Sequence, residues 1–378
     1  MSNIILGFNE VADLIEHVGP TRTVIVEGEN GVGKTALHRA LSQRDSFEGF
    51  IKPAPLDATQ MSDGSVWMPD IDKEMGVSRE LPNERYGMSR RNQRGINGSK
   101  PVLICIDEVL KVQQFIKNML APIMYERRIG DYGMVEGSVV FCCTNLSCEG
   151  LGDSLQPHLR SRVIVVRMRK PTMEEWVNNF AIPRKLNSAV VAFASENPAL
   201  FRSFLDFEPG GTYAGKPQEK DEYGNMIFNP RVAQDGFVSP RTLHAASDVA
   251  AVADKLTPMA LQAALNGTVG RAAGEKLASY LRFLSDITPY ERVIADPHKA
   301  PVTANPTAQL VQVFQFITRA ETREEAAAVV VYVKRIRAEL QTLFAQSVAQ
   351  STRMVTFVNA PGFADLLAEN KVFMGGVR

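Results

Sequence analysis

The sequence predicts an α/β fold with a parallel central sheet, followed by a helical region. Three observations lead to this prediction. Strand-like and helix-like segments alternate over roughly the first 170 residues, a glycine-rich loop joins a β-branched run to a helix-forming run, and Ala-rich helical segments follow from Thr172. Alternating strands and helices are typical of parallel sheets covered by helices. A chain of 378 residues is long enough for two or three units.

The loop at 28–35 reads GENGVGKT, a complete G-x-x-x-x-G-K-[ST] phosphate-binding pattern between a strand at 23–26 and a helical run at 36–41. Glycines allow backbone N–H groups to surround phosphates. Lys34 is expected to reach the β- and γ-phosphates and Thr35 to bind Mg²⁺. A chance glycine-rich turn is the alternative, which the complete pattern disfavours. The predicted nucleotide-binding residues are Gly28, Glu29, Asn30, Gly31, Val32, Gly33, Lys34, Thr35 and Ala36.

Further elements follow from apolar patterns. We predict strands at 101–106, 138–143 and 163–166, an amphipathic helix at 109–125 and a hairpin at 126–134. Residues 58–100 have no sustained period and predict a long connection, a feature that is often functional. After residue 172 we expect helices, with a long loop or small hairpin at 208–238 and an extended linker at 293–307. Ser239 is a plausible N-cap for a helix that begins at Pro240.

Two of the predicted strands end in polar residues. Asp107 and Glu108 follow an apolar run, and α/β sheets place ligands at the carboxyl ends of their strands. Asp107 is the expected Mg²⁺ ligand and Glu108 the expected base that polarises water. Asn145 ends the next strand, where it could bond the γ-phosphate and the water that attacks it. Alternatively, Asn145 is a turn residue whose side chain forms a hydrogen bond with its own backbone.

Composition argues against several classes of protein, namely secreted, membrane-spanning and zinc-binding ones. Acidic and basic residues number 42 each, so net charge does not indicate a nucleic-acid partner. The first residues lack a secretory pattern, and no stretch approaches the roughly 18 apolar residues of a membrane span. Cys105, Cys142 and Cys143 lie in apolar runs, and their spacing to Cys148 is not that of zinc ligands. We therefore expect free thiols and a cytoplasmic chain.

The order of these motifs resembles that of the AAA+ ATPases, and more narrowly of the MoxR-like branch, which is related to the dynein-type group. The specific match covers 120–162, where LAPIMYERRIGDYG precedes VVFCCTN and LGDSLQPHLRSR. The resemblance extends over residues 1 to about 290 and is weaker in the tail. Two positions depart from the family pattern: the residues around Asn145, and Val163, where the family usually has Phe. The resemblance implies an AAA+ α/β domain at 1–170, a helical lid at 171–290 and a helical extension at 291–378.

The resemblance also implies roles for particular residues. Asn145 would be the first sensor and Arg241, in a Ser-Pro-Arg sequence, the second. Either Arg162 or Arg160 would be the arginine finger that reaches the neighbouring subunit's site; Arg162 matches the family position better. A surface pair flanking a strand is the alternative for these two arginines.

A Mg²⁺-dependent ATPase in a hexameric ring is the function that the resemblance implies. It would remodel a protein client, together with a von Willebrand A-domain partner. Trp67, with Met68, is a candidate for gripping that client in the central pore; the alternative is that Trp67 is buried beneath its loop. A nucleic-acid motor or loader is the second hypothesis, because 79–100 is rich in arginine. A non-catalytic assembly switch is the third, which the Asp107-Glu108 pair disfavours.

Overall fold

The structure is a computed structural model that describes residues 4–95, 98–146, 160–207 and 222–371. The chain divides into two compact units, Met1–Lys170 and Pro171–Arg378. The first combines a sheet with helices, whereas the described part of the second is almost entirely helical. The predicted fold class, an α/β domain with a parallel central sheet followed by helices, is confirmed.

The first unit is built on a six-stranded parallel sheet, which has the order β1-β10-β2-β9-β6-β3. Its helices are α1 (Phe8–Val18), α2 (Ala36–Ser42), α3 (Arg90–Gln93) and α4 (Gln114–Glu126). The strands are β1 (Ile5–Leu6), β2 (Thr23–Glu27), β3 (Leu56–Asp57), β4 (Trp67–Asp72), β5 (Val77–Pro82), β6 (Leu103–Asp107), β7 (Arg128–Ile129), β8 (Tyr132–Gly133), β9 (Val139–Thr144) and β10 (Val163–Met168).

The central strands are apolar on both faces because helices cover both sides of the sheet. Ile25, Ile104 and Cys142 pack in one buried cluster with Leu120 and Ile123 of α4. The alternate strand residues pack in a second cluster with α1 and α2, whose members include Val24, Val26, Phe141, Leu37 and Ile15. Burial on both faces explains why β2, β6 and β9 are continuous apolar runs in the sequence.

The cysteines of the sheet are free thiols, as predicted. Cys105, Cys142 and Cys143 are buried and form no disulfide. Burial raises the pKa of the Cys105 and Cys142 thiols, so both are protonated at neutral pH. Cys148 lies outside the described residues.

Two sequence predictions for the first unit were wrong in detail. The helix expected at 109–125 begins only at Gln114, since Glu108 has a φ of 57° and the N–H of Val109 donates to the carbonyl of Cys143. The connection at 58–100 contains the antiparallel hairpin β4–β5 and helix α3. Most of the hairpin is exposed, so its sequence lacks the alternation that indicates a half-buried strand. The hairpin predicted at 126–134 is present as β7–β8.

The second unit consists of short and medium helices. Ser239 caps the helix Pro240–Ala250 by accepting the N–H of Thr242, and Pro240 is its first residue, as predicted. No helix among the residues described is long and apolar enough to cross a membrane. The α-helices are α5 (Met173–Trp176), α6 (Ser188–Glu196), α7 (Pro240–Ala250), α8 (Pro258–Val269), α9 (Arg271–Arg282), α10 (Tyr290–Ala295), α11 (Pro306–Arg319), α12 (Arg323–Val333), α13 (Ala338–Ala349), α14 (Met354–Phe357) and α15 (Phe363–Glu369).

Arg127 joins three elements of the first unit. Its guanidinium donates to the Thr23 hydroxyl at 2.6 Å and to the Gly19 and Met124 carbonyls at 3.0 and 3.3 Å. Burial lowers the pKa of Arg127 to about 10, which still leaves it charged at neutral pH. We expect Arg127→Met to lower the free energy of unfolding of this unit by about 2–4 kcal/mol, because buried acceptors lose their donor. Calorimetry of the full chain would measure the change.

Arg128→Met is the matched control for that prediction. Arg128 is exposed and donates only to the carbonyl of Gly130 among the hydrogen bonds of the described residues. Its replacement is expected to change the unfolding free energy by no more than about 0.5 kcal/mol. Equal effects of the two substitutions would contradict the structural role of Arg127.

Candidate functional site

The polar residues predicted to act together lie at the carboxyl ends of three adjacent strands. Strand β9 lies between β2 and β6, and its Thr144 pairs in register with Glu27 of β2. The phosphate loop follows β2, Asn145 follows β9, and Asp107 ends β6. All three strands are parallel, so these residues share one edge of the sheet.

The phosphate loop has a conformation that its glycines permit. Gly31 and Gly33 have φ angles of 76° and 102°, values that other residues rarely adopt. A Cβ atom at Gly28 would lie 3.0 Å from the carbonyl oxygen of Met168, which is a steric conflict with the backbone of β10. The loop therefore favours glycine at 28, where the packing is close, and at 31 and 33, where φ is positive.

Lys34 connects the phosphate loop to the strand of Asn145. Its buried ammonium donates to the carbonyls of Gly28 and Glu29, at 2.7 and 2.9 Å, and to Asn145 Oδ1 at 2.9 Å. Three oxygen atoms of the chain thus accept hydrogen bonds from this ammonium. Phosphate oxygens offer the same chemistry with more negative charge, so the position suits a phosphate-binding lysine.

Thr35 and Asp107 provide two oxygen ligands for a cation. The Thr35 hydroxyl donates to Asp107 Oδ2 at 2.5 Å, and Asp107 Oδ1 accepts the N–H of Glu108 at 3.0 Å. Mg²⁺ is commonly held by one or two protein oxygens together with water and substrate phosphates. No cluster of three His, Cys, Asp or Glu side chains suited to a metal occurs in the described parts of the chain. The donor set therefore fits a Mg²⁺ ion that arrives with a nucleotide.

Glu108 lies next to this pair in a constrained backbone conformation. Its φ of 57° is uncommon for a residue other than glycine. One carboxylate oxygen, Oε1, forms an ion pair with Lys111 at 2.9 Å. The other, Oε2, is buried and has no hydrogen-bond partner among the residues described. An unpartnered carboxylate oxygen is a suitable acceptor for a water molecule.

Arg162 does not join this site within the first unit. Arg162 is exposed just before β10, with its guanidinium 5.9 Å from the ring centroid of Tyr125. Val163 pairs with Thr23, five residues before Gly28, and Arg162 is one residue further away, so it lies about 20 Å from the phosphate loop along the strand direction. Arg162 therefore lies at the opposite end of the sheet from its own chain's phosphate loop.

Arg160 and Arg241 have different surroundings. Burial raises the pKa of Glu27, and the charges of Arg167 and Arg160 act in the opposite direction. Arg160 is therefore close enough to influence the residue that precedes the phosphate loop. Arg241 belongs to the second unit, where it is exposed in the first turn of α7. Their predicted catalytic roles remain predictions.

Sequence reasoning missed two charged features near the phosphate loop. Asp57 pairs in register with Asp107, which places a second carboxylate at the same edge. Its strand has only two residues, too few to show a pattern. Lys170 forms an ion pair with Glu29 at 2.9 Å, and no local signal relates two residues so far apart in the sequence.

Comparisons with known proteins add only a distant likeness. No protein-family model and no curated protein matches the chain. A solved structure described as a candidate ATPase from Cytophaga hutchinsonii has 10% sequence identity and a TM-score of 0.28, with 97% of this chain and 81% of that chain covered. NtrX from Brucella abortus has 13% identity and a TM-score of 0.31, covering 98% and 69%. Its complex with ADP has 14% identity and the same TM-score, covering 95% and 65%. Identities and TM-scores this low assign no function to the chain.

Proposed function

We propose that the chain is an ATPase of the AAA+ class that hydrolyses ATP in an oligomer. The observation that supports this most directly is the hydrogen-bonded network at one sheet edge. It links Lys34 to Asn145 and Thr35 to Asp107, with Glu108 beside them. A lysine, a hydroxyl, a carboxylate pair and an amide are the groups that a nucleoside triphosphate and its metal require.

Each residue has a defined task in hydrolysis. Lys34 binds the phosphate oxygens, and the backbone N–H groups between Gly28 and Thr35 surround them. Thr35 and Asp107 would hold Mg²⁺, which supplies positive charge at the phosphates. Glu108 orients water through Oε2 and accepts its proton. Asn145, whose Oδ1 accepts a hydrogen bond from Lys34, would bind the terminal phosphate or the attacking water through its side-chain amide.

The position of Arg162 supports an oligomer. Stabilising the charge of the transition state requires a cation close to the transferred phosphate. Arg162 is exposed and distant from its own phosphate loop, so in our proposal it acts in the site of a neighbouring copy. A hexameric ring of MoxR-like type, acting on a protein client with a von Willebrand A-domain partner, is the specific form of this proposal.

The β4–β5 hairpin is the proposed contact with the client. Trp67 is partly buried against the core, whereas Met68 and Ile71 are 57% and 66% exposed. Apolar side chains on an exposed hairpin can bind a polypeptide without sequence preference. The exposure favours Met68 and Ile71 over Trp67 as the contacting residues.

A nucleic-acid partner is the second candidate, and one observation favours it. Arg90, Arg91 and Arg94 are exposed on or beside the short helix α3. Phosphate contacts release counterions, so true nucleic-acid binding would weaken steeply as salt concentration rises. Absence of salt-sensitive binding to DNA and RNA, together with nucleic-acid-independent ATPase activity, would exclude this candidate.

The oligomer is tested by light scattering of the full chain without nucleotide, with ATP, and with ATP in the Glu108→Gln variant. We expect ATP to form or tighten the oligomer, and the variant to retain it because ATP persists. A monomer under all three conditions would contradict the shared site. ATP binding by that monomer would then favour a different, single-subunit use of the nucleotide.

A further inference from the structure

A buried ion pair joins the phosphate loop to the residue two positions after β10 ends. Glu29, the second residue of the loop, meets Lys170 at 2.9 Å, and their side chains are only 7% and 3% exposed. Glu29 Oε2 is the atom that Lys170 Nζ approaches, and no other group among the described residues donates a hydrogen bond to it. The charge of Lys170 is therefore what compensates the buried carboxylate.

Close packing fixes the position of Lys170 relative to the loop. Strand β10 pairs with β2, and Gly28 packs against the carbonyl of Met168 so tightly that a Cβ would lie 3.0 Å from it. The Arg169 guanidinium donates to the carbonyl of Lys170 at 3.1 Å. Lys170 is also the last residue of the first unit. The lysine is thus fixed by the sheet rather than by a mobile surface contact.

A carboxylate is an unexpected neighbour for a triphosphate. Both are negative, and in a buried environment with low effective dielectric constant their repulsion is strong. The carbonyl of Glu29 also accepts the Lys34 ammonium at 2.9 Å, so the same residue takes part in the phosphate-binding network. Removing the charge of Lys170 would leave an uncompensated acid inside the loop.

We propose that Lys170 is a positioning residue of the nucleotide site, which neutralises Glu29 so that the loop accepts a polyphosphate. This inference rests on the proposed nucleotide binding. A purely structural ion pair would affect all ligands of the loop equally. A charge-neutralising pair instead makes affinity depend on the number of negative charges that the ligand carries.

The test measures the dissociation constants of ATP, ADP and AMP by calorimetry for the full-length chain. In Lys170→Met we expect the ATP constant to rise by about tenfold or more, the ADP constant by less and the AMP constant least. The double variant Glu29→Gln/Lys170→Met removes both charges and is expected to return the ATP-to-ADP ratio to within about threefold of the parent chain. Lys170→Arg retains the charge and should retain the ratio.

Glu29→Gln provides a second readout if Lys170→Met fails to fold. It leaves the lysine without its acid, so the preference for ATP over ADP should increase rather than decrease. Lys185→Met is the control, since Lys185 forms an ion pair with Glu321 that is exposed and lies in the second unit. Equal changes for all three nucleotides, or no recovery in the double variant, would overturn the inference. Failure of the parent chain to bind ATP would instead overturn the proposed function.

Discussion

Glu108→Gln is expected to lower kcat for ATP hydrolysis by about 10²–10⁴-fold while leaving the dissociation constant of ATP nearly unchanged. The amide keeps the size of the side chain but cannot accept a proton from water. Asp107 and Thr35, which bond each other, are untouched by the change, so the proposed metal ligands remain. Steady-state phosphate release and calorimetric ATP binding measure the two quantities.

The control for Glu108 is an acid outside the site. Glu136 is exposed in the turn before β9, and Glu136→Gln is expected to leave both kcat and ATP binding unchanged. If Glu108→Gln left a slow ATPase rate unaltered, the chain would be an assembly switch in which nucleotide binding alone carries the function.

Arg162→Ala is expected to lower kcat by about 10³-fold or more without preventing ATP binding, because an arginine that stabilises a transferring phosphoryl group contributes a factor of that size. The substitution should be tolerated by the fold, because Arg162 is exposed and its contact with Tyr125 is worth roughly 0.5–1 kcal/mol. Arg335→Ala is a matched control, since Arg335 lies 5.5 Å from the ring centroid of Tyr332. Arg160→Ala, measured beside it, identifies which of the two arginines contributes more.

An unchanged rate in Arg162→Ala would exclude this residue as a finger. A large loss in Arg160→Ala alone would transfer the role to Arg160, whose charge acts on Glu27 next to its own chain's phosphate loop. The two outcomes therefore separate a residue that acts between subunits from one that acts within its own subunit.

The parts of the site that were predictable are those with a local pattern. The phosphate loop needs glycine at fixed positions, and the structure shows positive φ at Gly31 and Gly33. Strands β2, β6 and β9 are buried on both faces, so each is a continuous apolar run that ends in a polar residue. Local sequence was sufficient for these parts because the backbone conformation and the burial of each position restrict which residues can occupy it.

The parts that were missed depend on tertiary contacts. The pairing of Glu29 with Lys170 connects the loop after β2 to the end of β10, and adjacent strands need not be adjacent in sequence. The hairpin β4–β5 is largely exposed, so neither face imposes an apolar pattern. The late start of α4 follows from the backbone of Glu108, a conformation that sequence periodicity does not reveal.

The central claim is that one ATP site is shared between two copies of the chain, and a mixing experiment tests it most directly. Glu108→Gln retains Arg162, and Arg162→Ala retains Glu108. Co-expressed in equal amounts and purified together, they should complete about one quarter of the shared sites and recover a similar fraction of the parent kcat. A mixture no more active than either variant alone would contradict a site built from two subunits.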